Sequence, residues 1–241
     1  MNVYRPTIVL ATYEERDNIG PLIRRLVRVL EPRGDFEILV VDDDSPDGTA
    51  AAARDAAAGD PRIRVDIRTS EKGLASAIRY GLERIHGDCA VVMNTDFQHE
   101  PDLVPRMIER LADHDVVIGS RFIPGGGMSN PFRYWPSRFF SLFLRRRLGV
   151  DVRDQTSGFV AFRAEIVRAL NSDDTFHGHG DWFFRMLHTG RRAGWRIIEV
   201  PAYYPPRRAG RRKSRLVSML VSYARAAIEL PDIRPPATPT G

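Results

Sequence analysis

The first half of the chain repeats one pattern, a short apolar run that ends in charged or polar residues and is followed by apolar residues at helical spacing. The run at 7–11, for example, is followed by residues 19–30, in which apolar side chains recur every three or four positions. Apolar strands that alternate with helices predict a parallel sheet with helices on both faces, and so an α/β fold. The five apolar runs are residues 7–11, 36–41, 63–67, 89–93 and 115–120.

The residues that end these runs are candidates for a binding site. In parallel sheets of this kind, ligands bind at the carboxyl ends of the strands. Asp42 begins a run of three aspartates, and adjacent like charges cost free energy unless a cation or hydrogen-bond donors compensate for them. We therefore assign Asp42 to a binding site, whereas Asp47 and Asp102 are interpreted as helix caps. The other candidates at strand ends are Glu14, Glu15, Asp96, Gln98 and Arg121.

Charge is distributed unevenly along the chain. Residues 1–120 carry a net charge of −7 and residues 121–241 a net charge of +12, counted from Lys, Arg, Asp and Glu. An acidic half beside a basic half favours a site for phosphate groups, nucleic acid or anionic lipid. Nucleic acid is the least favoured of these partners, because the acidic strand ends would repel its phosphates without a metal. The hydrophobic content of 43% is enough for a folded core and excludes a disordered protein.

Two segments of the second half are candidates for helices at a membrane surface. Residues 132–148 interleave aromatic residues with arginines, and residues 216–230 carry apolar residues on one side. Such amphipathic helices lie flat on a membrane when aromatic side chains enter the headgroup region beside arginines that attract anionic lipid. For residues 132–148, a core helix with a basic solvent-exposed face explains the pattern equally well.

The chain is not expected to cross a membrane. Its longest mostly apolar stretch, 216–230, is too short and contains Arg225 and Glu229. A single cysteine, Cys89, excludes an intrachain disulfide, and the N-terminus has no charged-then-apolar signal segment. We therefore expect a cytoplasmic protein, peripheral at the cytoplasmic face of the membrane where its amphipathic helices bind.

Six short motifs follow one another along the chain. The most specific is the nine-residue string VDDDSPDGT at 41–49. The other five are ATYEE at 11–15, KGLASA at 72–77, NTDFQH at 94–99, GSRF at 119–122 and DQTSGF at 154–159. In their order and spacing these motifs resemble those of the dolichyl-phosphate mannose synthase group within glycosyltransferase family 2. The resemblance covers roughly residues 5–215.

The resemblance implies a single domain of the GT-A type at residues 1–230, with a Rossmann-like, mostly parallel sheet and helices on both faces. Residues 1–121 would form the half that binds a nucleotide sugar, and residues 122–230 the half that binds the acceptor. A proline-rich, disordered tail is expected at 231–241. The implied reaction transfers a hexose onto a polyprenyl or dolichyl phosphate with inversion at the anomeric carbon, and mannose from GDP-mannose is the favoured donor.

The resemblance also assigns roles to individual residues. Asp96 and Gln98 would hold Mg²⁺ or Mn²⁺, which acts as a Lewis acid on the leaving diphosphate. Asp96 and Arg121 would be the catalytic residues. Arg121, Arg138 and Ser141 would bind the acceptor phosphate, because guanidinium groups match phosphate geometry. The residues expected to bind the donor are Thr12, Tyr13, Glu14, Asp42, Asn94, Thr95, Asp96, Arg207, Lys213 and Arg215.

The sequence departs from the pattern of this group in three places. Asn94 stands where the usual Asp-x-Asp motif has its first carboxylate, which predicts a lower affinity for the metal. Ala11 replaces a proline. The basic element at 207–216 is two residues longer than usual, so that either Lys213 or Arg215 could meet a phosphate.

Two other functions stay open from the sequence. A transferase with the same donor site could act on a small-molecule acceptor in solution, which failure to bind anionic liposomes would favour. A protein with Asn94 in the metal motif could instead bind sugar nucleotides without catalysis. Binding of GDP-mannose without turnover would support that alternative.

Overall fold

A sheet of seven strands runs through the centre of the computed structural model, which describes residues 4–170, 175–176, 180–210 and 216–230. The strands are β1 (Pro6–Thr12), β2 (Glu37–Asp42), β3 (Ile63–Ile67), β4 (Cys89–Val92), β5 (Val116–Ser120), β7 (Val160–Arg163) and β8 (Ile197–Pro201). Their order across the sheet is β3-β2-β1-β4-β7-β5-β8. Two short strands, β6 (Gly127–Met128) and β9 (Tyr203–Tyr204), form a separate parallel pair.

The part of the chain that the structure describes contains eight α-helices. They are α1 (Arg16–Leu30), α2 (Thr49–Ala57), α3 (Leu74–Leu82), α4 (Val104–Arg110), α5 (Pro131–Leu148), α6 (Ala164–Ala169), α7 (Trp182–Arg192) and α8 (Leu216–Glu229). Short 3₁₀ turns lie at Glu31–Arg33 and Pro101–Leu103.

Helices pack on both faces of the sheet, as the sequence predicts. Successive side chains of a strand point to opposite faces, and β1 shows this directly. Ile8 and Leu10 belong to one core together with residues of α1, α2 and α4. Val9 belongs to a second core, to which α3, α5, α7 and α8 contribute. All three side chains are fully buried, so the continuous apolar run at 7–11 reflects burial on two sides.

Strand β7 runs against its neighbours, whereas the other neighbouring strands in the sheet are parallel. It pairs antiparallel with both β4 and β5, with Val91 and Val117 each opposite Ala161. The beginning of β7 therefore lies at the same edge as the ends of β4 and β5. This reversal brings the segment 154–159 beside the strand ends that the sequence predicts to bind ligands.

Helix α5 presents aromatic residues to solvent. Ser141, Leu144 and Leu148 are buried, while Phe132 is 87% exposed and Phe139 is 64% exposed. The helix therefore packs on a core through Leu144, Leu148 and the partly buried Phe140, while Phe132 and Phe139 point to solvent. Among the described residues, no helix combines the length and the apolar composition that crossing a bilayer requires.

Candidate active site

A cavity of about 640 Å³ opens at the edge of the sheet where β1, β4 and β5 end and β7 begins. Its lining includes apolar residues of α3 and α7, among them Leu74, Ile78, Trp182 and Phe183. Nine of the residues predicted to act in binding or catalysis also line it, namely Thr12, Tyr13, Glu15, Asn94, Thr95, Asp96, Gln98, Arg121 and Arg207. The cavity thus combines one apolar wall with a dense set of polar groups.

Four predicted site residues do not line this cavity: Glu14, Asp42, Arg138 and Ser141. Two others, Lys213 and Arg215, lie outside the described residues. Other cavity residues escaped the sequence analysis, and Asp43, Arg133 and Ser137 are the most important of them.

Asp43 lines the cavity, whereas Asp42, to which the sequence analysis assigned a binding role, does not. Asp42 accepts hydrogen bonds from the backbone N–H of Ser45 at 2.8 Å and from its hydroxyl at 2.6 Å, so it fixes the turn after β2. Asp43 lines the cavity and accepts from Arg68 Nε at 2.8 Å and from the backbone N–H of Gly73 at 2.7 Å. Adjacent residues at a strand end point in different directions, which explains why only one of them faces the cavity.

The loop after β4 carries the predicted metal ligands. The backbone N–H of Gln98 donates to Asp96 Oδ1 at 3.0 Å, and both side chains are at least nine-tenths buried. Phe97, between them, has a φ of 64°, in the left-handed region that residues other than glycine rarely adopt. The turn therefore holds its two oxygen-bearing side chains in a fixed local arrangement.

His99 holds this loop in place and was not among the predicted site residues. Its Nδ1 accepts the backbone N–H of Asn94 at 2.9 Å, and its ring stacks on Phe159 with centroids 4.6 Å apart. Complete burial lowers the pKa of His99 to about 3, and the charge of Arg121 adds to this effect. The imidazole is therefore neutral at physiological pH and remains a hydrogen-bond acceptor for the Asn94 turn.

Arg121 forms a bidentate ion pair with Asp154. Its Nε and Nη2 each lie 2.7 Å from an oxygen of Asp154, and Nη2 also donates to Thr156 Oγ1 at 2.8 Å. Burial lowers the pKa of Arg121, but Asp154 opposes this and the net shift is upward, so the guanidinium keeps its charge. Asp154 is fixed in turn, since its backbone N–H donates to Glu199 Oε1 at 2.9 Å. A rigid, buried cation thus faces the cavity.

Arg133 and Ser137 project into the cavity from α5, four residues apart and so on one face of the helix. Arg138, by contrast, is exposed and donates to the hydroxyl of Tyr134 at 3.1 Å. Ser141 is fully buried, with its hydroxyl 3.4 Å from that of Thr156. The family resemblance assigned the acceptor phosphate to Arg138 and Ser141, whereas the arginine and serine of this helix that line the cavity are Arg133 and Ser137.

Arg207 closes one side of the cavity. Its Nη1 donates to Asp96 Oδ2 at 3.0 Å, its Nη2 contacts Glu15 Oε1, and its Nε donates to the carbonyl oxygen of Ala209 at 2.7 Å. Glu15 also accepts from Asn18 Nδ2 at 2.7 Å. The basic segment after β9 is thereby fixed to the ends of β1 and β4.

The side chains of Asp96 and Gln98 fit a hard divalent cation. Mg²⁺ and Mn²⁺ take oxygen ligands and commonly retain several from water and phosphate. Across the described ranges, no group of three or more His, Cys, Asp or Glu could hold a metal. One carboxylate and one amide suit an ion that takes its remaining ligands from water and a diphosphate.

The chain is similar in sequence to proteins of known function. The chain is 39% identical over 223 residues to an undecaprenyl-phosphate mannosyltransferase of Micrococcus luteus, covering 87% of each chain. It is 35% identical over 220 residues to a polyprenol monophosphomannose synthase of Mycolicibacterium smegmatis, covering 86% of this chain and 79% of that protein.

A solved structure shows the same fold. It is glucosyl-3-phosphoglycerate synthase of Mycobacterium tuberculosis, crystallised with Mn²⁺, UDP-glucose and phosphoglyceric acid. The TM-score is 0.74 at 20% identity, with 95% of this chain and 81% of that chain covered. This likeness confirms the predicted GT-A type fold. The family described as Glycosyl transferase family 2 matches residues 7–170, and the chain therefore belongs to glycosyltransferase family 2.

Proposed function

We propose that this glycosyltransferase moves a hexose from a nucleoside diphosphate, with GDP-mannose as the first donor to test, onto a polyprenyl phosphate. One observation carries the proposal: a single cavity contains both the Asp96 loop and the buried cation Arg121. Such a cavity suits a metal-bound diphosphate and a second phosphate at the same time. The names of the two relatives support the same acceptor class.

The donor would bind along the ends of β1, β2 and β4. Thr12 Oγ1 is buried in the cavity wall and has no hydrogen-bond partner among the described residues, so it is available to a ligand. Tyr13 is 38% exposed, and Lys72 Nζ lies 5.8 Å from the centre of its ring. We assign to Asp43 the donor-binding role that the sequence analysis gave to Asp42. Further donor contacts are proposed for Asn94, Thr95, Asp96 and Arg207.

Asp96 and Gln98 would supply two oxygen ligands to the divalent cation. When bound, Mg²⁺ or Mn²⁺ neutralises the charge that develops on the leaving diphosphate. Asn94 offers an amide where the usual motif has a carboxylate, so the diphosphate would provide a larger share of the binding energy of the ion.

The acceptor phosphate would be held by Arg121, Arg133 and Ser137. An anionic phosphate oxygen is already a competent nucleophile, so the reaction requires no general base. This phosphate oxygen would form a bond with the anomeric carbon of the sugar. At the same time the bond between that carbon and the diphosphate oxygen breaks, and its electron pair leaves with the nucleoside diphosphate. Attack from the opposite face inverts the configuration. The apolar wall formed by Leu74 and Trp182, with its neighbours, would receive the first isoprenoid unit.

The exposed aromatic stripe of α5 would place the cavity at the cytoplasmic face of a membrane. Phe132, Trp135 and Phe139 recur at helical spacing and are each more than half exposed. Arg138 and Arg146 are exposed on the same helix and would attract anionic headgroups. A lipid acceptor could then reach the cavity without leaving the bilayer.

The test is turnover with purified protein, Mn²⁺ or Mg²⁺, and a panel of activated sugars. Undecaprenyl phosphate in detergent micelles is the acceptor, and release of nucleoside diphosphate and formation of glycolipid are both measured. We expect glycolipid with GDP-mannose and little with Asp96→Asn as the inactive control. Transfer only to a water-soluble acceptor would replace the lipid part of the proposal. Binding of donors without any turnover would overturn the enzymatic proposal.

A further inference from the structure

The guanidinium group of Arg207 is fully engaged by the protein itself. It contacts two carboxylates, Asp96 and Glu15, and one backbone carbonyl, that of Ala209. The side chain is 16% exposed, and those of Glu15 and Asp96 are 9% and 8% exposed. The buried guanidinium lies between the carboxylates of Asp96 and Glu15 and neutralises negative charges that would otherwise repel each other.

Both oxygens of Asp96 are therefore occupied in this arrangement. Oδ1 accepts the backbone N–H of Gln98, and Oδ2 accepts Arg207 Nη1, each at 3.0 Å. A divalent ion that took Oδ2 as a ligand would approach the guanidinium closely, and two cations on one oxygen repel each other in a partly buried site. The structure thus contains an internal competitor for the carboxylate expected to hold the metal.

The backbone around Arg207 is fixed independently of its side chain. The N–H of Arg208 donates to the carbonyl oxygen of Asp96 at 3.2 Å, and Asn18 Nδ2 donates to the carbonyl oxygen of Ala209 at 3.2 Å. The Arg208 guanidinium lies over the ring of Phe97 at 5.2 Å. Because these contacts hold the segment, the Arg207 side chain can change partner while its backbone stays beside the metal loop.

We infer that Arg207 is a positioning residue that occupies Asp96 until a nucleoside diphosphate arrives and thereby couples metal binding to donor binding. This inference rests on the proposed function, in which Asp96 holds the metal and the donor carries a diphosphate. The diphosphate offers the guanidinium an anionic partner of better geometry, which frees Asp96 for the ion. Metal and nucleotide then raise each other's affinity by the same factor, as linkage requires.

The test measures binding of Mn²⁺ alone, of Mn²⁺ with saturating GDP or UDP, and of nucleotide to the Mn²⁺-loaded protein, by calorimetry and by the EPR signal of free Mn²⁺. For Arg207→Gln we expect Mn²⁺ alone to bind at least tenfold more tightly than to the wild type. With nucleotide present, the Mn²⁺ affinity should change less than threefold. Nucleotide should bind the Mn²⁺-loaded variant at least tenfold more weakly. A merely structural role would weaken both ligands.

The matched control is Arg106→Gln, which removes the same charge from an exposed position on α4 outside the cavity and should leave all three affinities within threefold. If thermal melting shows Arg207→Gln to be unfolded, Arg207→Lys replaces it, because one ammonium cannot span both carboxylates; Mn²⁺ alone should then bind at least threefold more tightly. Equal Mn²⁺ affinity in variant and wild type would refute the coupling role and leave the proposed function intact. Absence of Mn²⁺ binding in every protein, even with nucleotide, would instead count against the metal in the proposed function.

Discussion

Asn94 is the residue at which this chain departs most clearly from its group, and its position permits a direct test. It lines the cavity beside Asp96, and its side chain is exposed. We expect Asn94→Asp to bind Mn²⁺ about tenfold more tightly, since ligand charge sets the affinity of oxygen sites for hard cations. Calorimetric titration with Mn²⁺ measures this, and Asn130→Asp, at an exposed position outside the cavity, is the control. An unchanged affinity would mean that the side chain at 94 does not reach the ion.

Arg133 and Arg138 make a second test at the same scale, because they share a helix and a charge but not an environment. Arg133→Gln should raise the KM for polyprenyl phosphate by roughly tenfold or more, the expected loss of a charge-assisted hydrogen bond. Arg138→Gln should change it less than about threefold, since this side chain lies outside the cavity. Steady-state kinetics in micelles decide between them. The reverse ranking would restore the assignment made from the sequence.

Most of the residues that the sequence analysis proposed for the site line one cavity in the structure. Asp96, Gln98 and Arg121 were predicted from their place at strand ends, and all three line the cavity. Asp43 and Arg133 also line the cavity, one and five residues away from Asp42 and Arg138, which do not. The motif at 41–49 indicates which turn to examine. The direction of each side chain, however, depends on the backbone conformation after the strand, and composition and spacing do not specify that conformation.

Among the elements, α5 carries the clearest consequence. Its exposed aromatic side chains should bind membranes, since burial of each contributes about 1.5–3 kcal/mol. We expect the double variant Trp135→Ser with Phe139→Ser to bind anionic vesicles at least tenfold more weakly in a flotation assay. Ile67→Ser is the control, because Ile67 is an exposed apolar residue of the edge strand β3. Equal flotation of the double variant and the wild type would exclude α5 as the membrane contact.

The strands of the first half were predicted nearly to their ends, and the helices expected at 132–148 and 216–230 agree with α5 and α8 to within one residue. The other elements of the second half were not predicted. The apolar pattern places the first helix at 19–30, while α1 begins at Arg16, because its first turn is polar and carries no periodic signal. The direction of β7 could not be predicted. Its apolar residues read like those of a parallel strand, and its pairing with β4 and β5 depends on contacts distant in sequence.

At the scale of the whole molecule, buried His99 links the loop at 94–98 to the second half of the chain through Phe159 and Tyr204. Its pKa of about 3 lies below the ordinary value of 6.5, so between these values the unfolded chain binds a proton that the folded chain does not. Stability from this group is therefore complete above pH 6.5 and is lost as the pH falls towards 3. The contribution of this group to the free energy of unfolding falls by at most about 1.4 kcal/mol per pH unit.

This pH dependence can be measured. We expect His99→Phe to be less stable than the wild type at pH 7.5, because the N–H of Asn94 loses its acceptor. Between pH 6.5 and 4.5, however, its free energy of unfolding should fall less steeply. Urea unfolding at several pH values gives both slopes. Identical slopes in the two proteins would show that His99 is protonated in the folded state.

The family and the fold of the whole molecule were predictable, because the order of the motifs is itself long-range information. The boundary at residue 121 between a donor half and an acceptor half stays a prediction. One of the two cores combines residues from both sides of that boundary, such as Ile78 of α3 and Leu144 of α5.

The reversed direction of β7 has a consequence for how such enzymes diversify. The loop 151–159 meets the cavity just before β7 begins. The residues proposed to bind the donor, by contrast, follow the ends of their strands. Under the proposed function, exchanges in this loop at positions other than Asp154, Thr156 and Phe159, which contact Arg121 and His99, would therefore reshape the acceptor side of the cavity without altering the strand ends proposed to bind the donor. An ancestral scaffold of this design could acquire new acceptors while keeping the same sugar-nucleotide donor.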